Sequence, residues 1–476
     1  MSKDFDTVIG LEVHVQLSTE TKIFCACSTE FNCPPNTNIC PVCCGYPGVL
    51  PVLNKRALEL SLRVGLALNC RINKTIYFER KNYFYPDLPK GYQISQFELP
   101  IAEQGKVDLP SGKQIGITRA HMEEDAGKLI HKEKYSLVDL NRCGIPLLEI
   151  VSEPDMQSPE EAFQYLTQLK RIVQYVGGSS CDMEKGFLRC DANISLKPKG
   201  RKEFGTKVEL KNMNSFKGVK DALEYEQKRQ AEVLSRGGKI YQETRLWDES
   251  AKKTKVMRSK EESHDYRYFP EPDLVNFTIA GEMVAEQEKL VGELPLTRKN
   301  RFIEQYQLSE KEAEVLISDR WLADFFESCC LALNDAKKIS NLLLGPFLEL
   351  VNGLEQGFAQ VKISPESFAV IVSYFSQGKI NNLGAKQVLT KALTTNEDID
   401  GIIEKEGLVQ VSGEEELLAF ALEAIDSNPA AVTDYLSGKK GAVMFLVGCV
   451  MKKTRGKANP KIVKELLEKN INKRKG

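Results

Sequence analysis

Thr7-Val8-Ile9-Gly10-Leu11-Glu12-Val13-His14-Val15-Gln16-Leu17 is the stretch on which the fold turns. A strand sends every second side chain to the same face. Thr7, Ile9, Leu11, Val13, Val15 and Leu17 therefore share one face, and Gly10, Glu12, His14 and Gln16 share the other. An apolar face belongs on a core. The polar face is either solvated or a site.

Working outward, Leu188 to Leu196 repeats the device. Leu188, Cys190, Ala192, Ile194 and Leu196 oppose Arg189, Asp191, Asn193 and Ser195. In Lys207 to Lys211, Val208 and Leu210 oppose Lys207, Glu209 and Lys211, and the acidic trio Glu123-Glu124-Asp125 follows Ile115-Gly116-Ile117-Thr118. Asp and Asn are depleted from ordinary strands, so Asp191 and Asn193 in mid-strand, with His14 between Glu12 and Gln16, suit oxygen-and-imidazole coordination of a hard divalent ion. A solvated sheet face alternates in the same way, and both readings stand on pattern alone. No G-x-x-x-x-G-K-[ST] or G-x-G-x-x-G is present, so a nucleotide would be held by carboxylate-bound magnesium and scattered cations. Lys81 and Arg189 are candidate phosphate partners; each alone also reads as a surface charge.

Up to about residue 290 the texture is β-rich with one strongly signed helix. Ser158 caps it, Pro159 takes its first position, Glu161 completes a capping box, and Gly177 and Gly178 end it. After Glu293-Leu294-Pro295 the spacing turns helical, as in Ala323, Phe326, Cys330 and Leu333. A second boundary near Gly407 precedes a capping box at Ser412 and Glu415, and Asn459-Pro460 opens the last helix. The expected architecture is α+β: an N-terminal domain with a mainly antiparallel sheet (1–293), a helical domain (294–407) and an all-α tail domain (408–476). At roughly 150 residues per domain the length agrees with three.

Composition bounds the partners. Formal net charge is −1, so any nucleic-acid surface is local. Lys439 to Gly476 carries twelve Lys/Arg against two Glu, interleaved with apolar helical segments, which favours a phosphate-backbone surface over plain solubility. Lys452, Lys453, Arg455 and Lys457 are its most approachable cations. Cys25-x-Cys27 and Cys40-x-x-Cys43, separated by twelve residues, let four thiolates converge on a closed, structural zinc, with free buried thiols as the alternative. Thirteen cysteines in a long chain without an apolar leader or membrane-length run imply a soluble, cytoplasmic protein with reduced thiols.

Several long motifs then carry a resemblance. They include the Val8–Leu17 strand, Tyr46-Pro47-Gly48-Val49-Leu50-Pro51, Arg80-Lys81-Asn82-Tyr83-Phe84-Tyr85-Pro86-Asp87, Gly91-Tyr92-Gln93-Ile94-Ser95-Gln96 and His121-Met122-Glu123-Glu124-Asp125-Ala126-Gly127-Lys128. Leu188-Arg189-Cys190-Asp191-Ala192-Asn193-Ile194-Ser195, Glu209-Leu210-Lys211-Asn212-Met213-Asn214-Ser215 and Asp265-Tyr266-Arg267-Tyr268-Phe269-Pro270-Glu271-Pro272-Asp273 complete the set. In this order they resemble the B subunit of the tRNA-dependent glutamyl/aspartyl amidotransferases. The longer archaeal E subunit has an inserted domain for which Glu209 to Pro295 leaves no room.

The resemblance implies a cradle-shaped first domain, a helical domain and a tRNA-recognising tail, working in a heterotrimer with an amidase A subunit and a small C subunit. It implies that ATP phosphorylates the side-chain carboxylate of glutamate or aspartate on misacylated tRNA, and that glutamine-derived ammonia displaces the phosphate. By motif match, Glu12, His14 and Glu124 are the expected magnesium ligands. Glu123, Asp191 and Glu209 are the expected neighbours serving a second ion, the ammonia path or the intermediate. A non-catalytic tRNA-binding scaffold is the alternative, which the acidic set opposes. A zinc hydrolase would need an open non-thiolate site, and His14, His121, His131 and His264 form no H-E-x-x-H.

Overall fold

The computed structural model describes residues 4–259, 266–395, 397–408, 414–454 and 458–474, and the chain forms two compact units, 1–298 and 299–476. The first is built on a twelve-stranded sheet. Its main strands are β1 (Phe5–Gln16), β2 (Glu79–Asn82), β3 (Tyr92–Ser95), β4 (Ala102–Asp108), β5 (Gln114–Glu124), β6 (Pro146–Ser152), β7 (Leu188–Pro198), β8 (Val208–Lys211), β9 (Glu243–Asp248) and β10 (Lys253–Ser259). They lie in the order β10-β9-β8-β7-β1-β6-β5-β3-β2, with β4 also on β5. Every pairing among them is antiparallel except β8 with β9.

β1 sits near the middle because its inward residues after Thr7 are all apolar. Ile9, Leu11, Val13, Val15 and Leu17 are each at most 1% exposed. Helices α1 (Lys55–Ala67), α2 (Pro159–Tyr175) and α3 (Phe216–Ser235) put Leu60, Val64, Leu166, Val173, Val219 and Leu223 into the same core. Truncating one of these leucines to alanine removes about 2–5 kcal/mol of stability. With one face covered by helices, the polar side chains of β1 and β7 have only the opposite face.

α2 forms as its signals predict. Ser158 Oγ accepts from Glu161 N at 3.2 Å, and Gly177 takes a φ of +70° after the last turn. The box does not close, because the Glu161 carboxylate accepts from Gln157 N at 2.7 Å and pairs with Lys113. The expectation of a single helix before residue 290 is corrected: α1, α3 and α4 (Gly281–Val291) are helical too. In α1, Leu58, Leu60, Leu62 and Val64 recur every second residue and mimic a strand. Lys55, Glu59 and Arg63 do recur every four residues, but Arg63 is buried and the stripe is narrow. Asn54 starts it, its Oδ1 accepting from Arg56 N at 2.8 Å and Ala57 N at 3.3 Å.

The second unit is helical and holds two cores, one from Phe302 to Ile403 and one from Leu417 to Ile471. Its last helix, Pro460–Lys473, starts at Asn459, whose Oδ1 accepts from Lys461 N at 3.0 Å. Ser412 lies outside the described residues. No helix among the described residues is long and apolar enough to cross a membrane.

Candidate active site and thiol cluster

Register decides which polar residues meet. Arg189 on β7 opposes His14 on β1, His14 opposes Glu149 on β6, and Glu149 opposes His121 on β5. One row across four strands is therefore cation, imidazole, carboxylate, imidazole. In the next row Asp191 opposes Glu12, and Glu12 opposes Val151, which opposes Arg119. All of these but Val151 line a cavity of about 630 Å³, together with Lys81, Gln96, Phe97, Glu123, Asp125, Glu209, Lys211, Tyr266 and Tyr268.

His14 is the hub. Its Nε2 lies 3.5 Å from Glu123 Oε1 and 3.4 Å from Glu149 Oε2, and His121 Nε2 lies 3.2 Å from that same Glu149 oxygen. Burial opposes the charge on His14, but Glu149 and Glu123 outweigh it and raise its pKa to about 9. Burial likewise disfavours the Glu149 carboxylate, yet His121 and His14 hold it well below the usual range. Ligand atoms of His14, Glu123 and Glu149 fall within 4.8 Å of one another, so this trio could hold a metal ion. One imidazole and two carboxylates suit a hard divalent ion that keeps water in its remaining positions.

Glu12 stands one row away, accepting from Asn193 Nδ2 at 2.9 Å. Lys211 Nζ bridges Asp191 and Glu209, the latter at 3.2 Å, and Glu209 also accepts from Thr244 Oγ1 at 2.7 Å. Lys81 sits 5.0 Å over the Tyr266 ring. Arg189 donates to Asp125 at 2.8 Å.

Glu124 is not brought to His14. It is 1% exposed on the other side of the sheet, where Lys90 Nζ at 2.6 Å and Ile94 N at 2.8 Å engage its carboxylate. A bulge explains the inversion. Val151 pairs with Arg119 but Ser152 pairs with Ile117, so β5 gains a residue at Thr118. Before it Ile115 and Ile117 face the core; after it Ala120 and Met122 do. Arg119, His121 and Glu123 thereby reach the cavity.

Glu149, His121, Arg119 and Lys211 escaped the sequence reading as site residues. Glu149 had left a signal: one acid inside the apolar run Leu147-Leu148-Glu149-Ile150-Val151. A larger cavity of about 1050 Å³ lies beside the start of β1, among Asp6, Glu153, Lys197 and Arg236. No group able to hold a metal lines it among the described residues.

The four cysteines converge as their spacing implies. Ligand sulfurs of Cys25, Cys27, Cys40 and Cys43 lie within 4.8 Å of one another, so the cluster could hold a metal ion. A hydrogen bond from Cys25 pulls the Cys43 thiol down to about 4 against its burial, with Cys40 N and Lys22 adding to the effect. A thiolate already favoured by its surroundings fits zinc. Cys33 and Cys44 stand outside the quartet.

In the tail, Lys452 and Lys453 close the helix Ala442–Lys453, and Lys453 pairs with Glu423. Arg455 and Lys457 lie outside the described residues.

The comparisons fit this arrangement. Residues 7–285 match the family model described as the GatB/GatE catalytic domain, and residues 324–471 match one described as the GatB domain. Relatives named as B subunits of aspartyl/glutamyl-tRNA(Asn/Gln) amidotransferase extend over almost the whole chain. The one from Carboxydothermus hydrogenoformans is 50% identical, covering 98% of this chain and 99% of its own length. That from Brevibacillus brevis is 50% identical over 99% of this chain and 100% of its own. That from Persephonella marina is 50% identical over 98% and 99%. With half its residues shared from end to end, and the polar sheet face inside the matched catalytic domain, the chain belongs to the family of amidotransferase B subunits.

Proposed function

We propose that this chain is the carboxylate-activating member of a tRNA-dependent amidotransferase complex. A side-chain carboxylate oxygen of glutamate or aspartate on misacylated tRNA attacks the terminal phosphorus of ATP, giving an acyl phosphate and ADP. Ammonia attacks the acyl carbon, loses a proton and expels inorganic phosphate, leaving the amide. The observation that carries this reading is the His14–Glu123–Glu149 trio, set between cations and further carboxylates in one cavity. Phosphoryl transfer asks for positioning and charge neutralisation, and magnesium held by this trio supplies the latter.

In this reading Glu12, expected as a magnesium ligand, stands beside the magnesium site, while Glu124 anchors β3 and Lys90 behind it. Lys81 and Arg189 contact phosphate. Asp191 and Glu209, pinned by Lys211, border the path of ammonia and take the proton it releases. Ammonia comes from glutamine on an amidase A subunit, with a small C subunit completing the heterotrimer. Residues 1–293 perform the chemistry, and the basic tail 408–476 holds tRNA through Lys452, Lys453, Arg455 and Lys457. Zinc in the four-cysteine cluster is structural, since a closed four-thiolate site leaves no open position.

The test is the reconstituted three-subunit complex, assayed for transfer of labelled phosphate onto misacylated glutamyl- and aspartyl-tRNA. Glu123→Gln and Glu149→Gln should abolish ATP-dependent amide formation while sparing glutaminase activity. Undiminished transamidation in both variants would leave only the tRNA-binding scaffold.

A further inference from the structure

The charges of the cavity are sorted across the sheet. On the β7–β8 flank both cations are engaged: Arg189 by Asp125, and Lys211 by Asp191 and Glu209. The β2–β5 flank differs. Arg119 and Lys81 have no ion pair or side-chain hydrogen bond among the described residues and rest on aromatic rings. The Arg119 guanidinium lies 5.7 Å from the centre of Phe97, and the Lys81 ammonium 5.0 Å from that of Tyr266. Phe97 stacks on Tyr268 at 4.4 Å and Tyr268 meets Tyr266 edge-on at 6.2 Å, so one aromatic group backs both cations.

Gln96 adds a neutral donor. It is 1% exposed, and its Oε1 accepts from Met122 N at 3.0 Å and Ile101 N at 3.2 Å. Those two bonds assign the oxygen, and the amide nitrogen that remains is buried with no acceptor, as is Arg119 Nε. Buried donors without partners are rare and unfavourable. Three donors without acceptors on one cavity wall are complementary to an oxyanion, and aromatic backing holds a guanidinium in place without neutralising it.

We propose that Lys81, Gln96 and Arg119 form a phosphate-binding subsite on the β2–β5 flank of the cavity. This rests on the phosphoryl-transfer reading above and adds Gln96 and Arg119 to it. Two sources present such a group, the polyphosphate of ATP and the phosphodiester at the 3′ end of tRNA. The Arg119 donors clamp two phosphate oxygens as a fork, while Lys81 contributes a point charge.

The full-length chain is titrated calorimetrically with magnesium-ATP and, separately, with a 5′-phosphorylated CCA trinucleotide. Arg119→Gln should weaken one of them by roughly tenfold or more with the melting midpoint unchanged, since Arg119 has no ion pair to lose. Arg119→Lys should recover part of that affinity. Gln96→Glu, which replaces the donor with a charge of the wrong sign, should weaken the same ligand and serves if Arg119→Gln does not fold. Loss confined to ATP assigns the subsite to the polyphosphate, and loss confined to the trinucleotide assigns it to tRNA. Both variants binding both ligands like the unaltered chain would overturn the subsite while leaving the phosphoryl-transfer reading intact. An unaltered chain that binds neither ligand removes that reading, and the subsite with it.

Discussion

Arg189 reaches the candidate active-site cavity already paired, donating to the buried Asp125 carboxylate at 2.8 Å. Asp125 is held in turn by the segment that carries the cysteine loop. Arg142 lies 3.5 Å from that carboxylate and donates to Ala126 O at 2.9 Å and Gly127 O at 2.7 Å. Lys22 donates to Leu140 O at 3.3 Å and to Cys43 Sγ at 3.6 Å, while Asn38 N donates to Asn141 Oδ1 at 2.8 Å. A chain of short contacts thus runs from the thiols to Arg189.

Arg142→Ala should lower transamidation by more than its loss of stability explains. That loss should be about 1–2 kcal/mol by urea unfolding, the worth of hydrogen bonds from a partly exposed charged group. Unchanged turnover would show that Asp125 positions Arg189 without help from this segment.

Glu149→Gln and Glu124→Gln separate the two faces of the sheet. The first should weaken magnesium binding at least tenfold, and it also loses the pairing of Glu149 with His14 and His121. The second breaks the buried Lys90–Glu124 pair, with side chains 9% and 1% exposed, and should lose about 3 kcal/mol while retaining magnesium affinity. Titration calorimetry and denaturant unfolding read the two effects, and the opposite pattern would return Glu124 to the metal.

The His14 imidazolium ties pH to stability. Its folded pKa, about 9, lies above the ordinary 6.5, so the folded state binds the proton more tightly than the unfolded state. The stabilisation is fully present below about pH 6.5 and is lost as pH rises through 9. In metal-free protein the melting midpoint of the unaltered chain should fall toward that of His14→Gln between about pH 7 and 10. A constant gap would contradict the assignment.

Metal analysis of the purified chain should find about one zinc per molecule, lost in Cys43→Ser. Chelation should also lower the melting midpoint, because metal binding at such a site is folding free energy. Less than half an equivalent in the unaltered chain would argue for free thiols.

Lys452→Glu should weaken tRNA binding and reduce the dependence of log affinity on log salt by about one. Glutaminase activity of the complex should not change. An unaltered salt slope would place the phosphate contacts elsewhere.

Read alone, the sequence determined which face of β1, β7 and β8 is polar, because alternation is local and the pleat has a period of two. It also determined the start of α2 at Ser158 and of the last helix at Asn459, since a cap needs only its next few residues. The convergence of Cys25, Cys27, Cys40 and Cys43 followed from two short spacings. Only the tertiary structure decided which polar residues meet. β1 pairs with strands more than a hundred residues away, and that register, absent from any short window, puts Glu149 and His121 beside His14. One extra residue at Thr118 then exchanged the faces of Glu123 and Glu124. A single bulge, invisible in the pattern, separates a candidate metal ligand from a buried anchor.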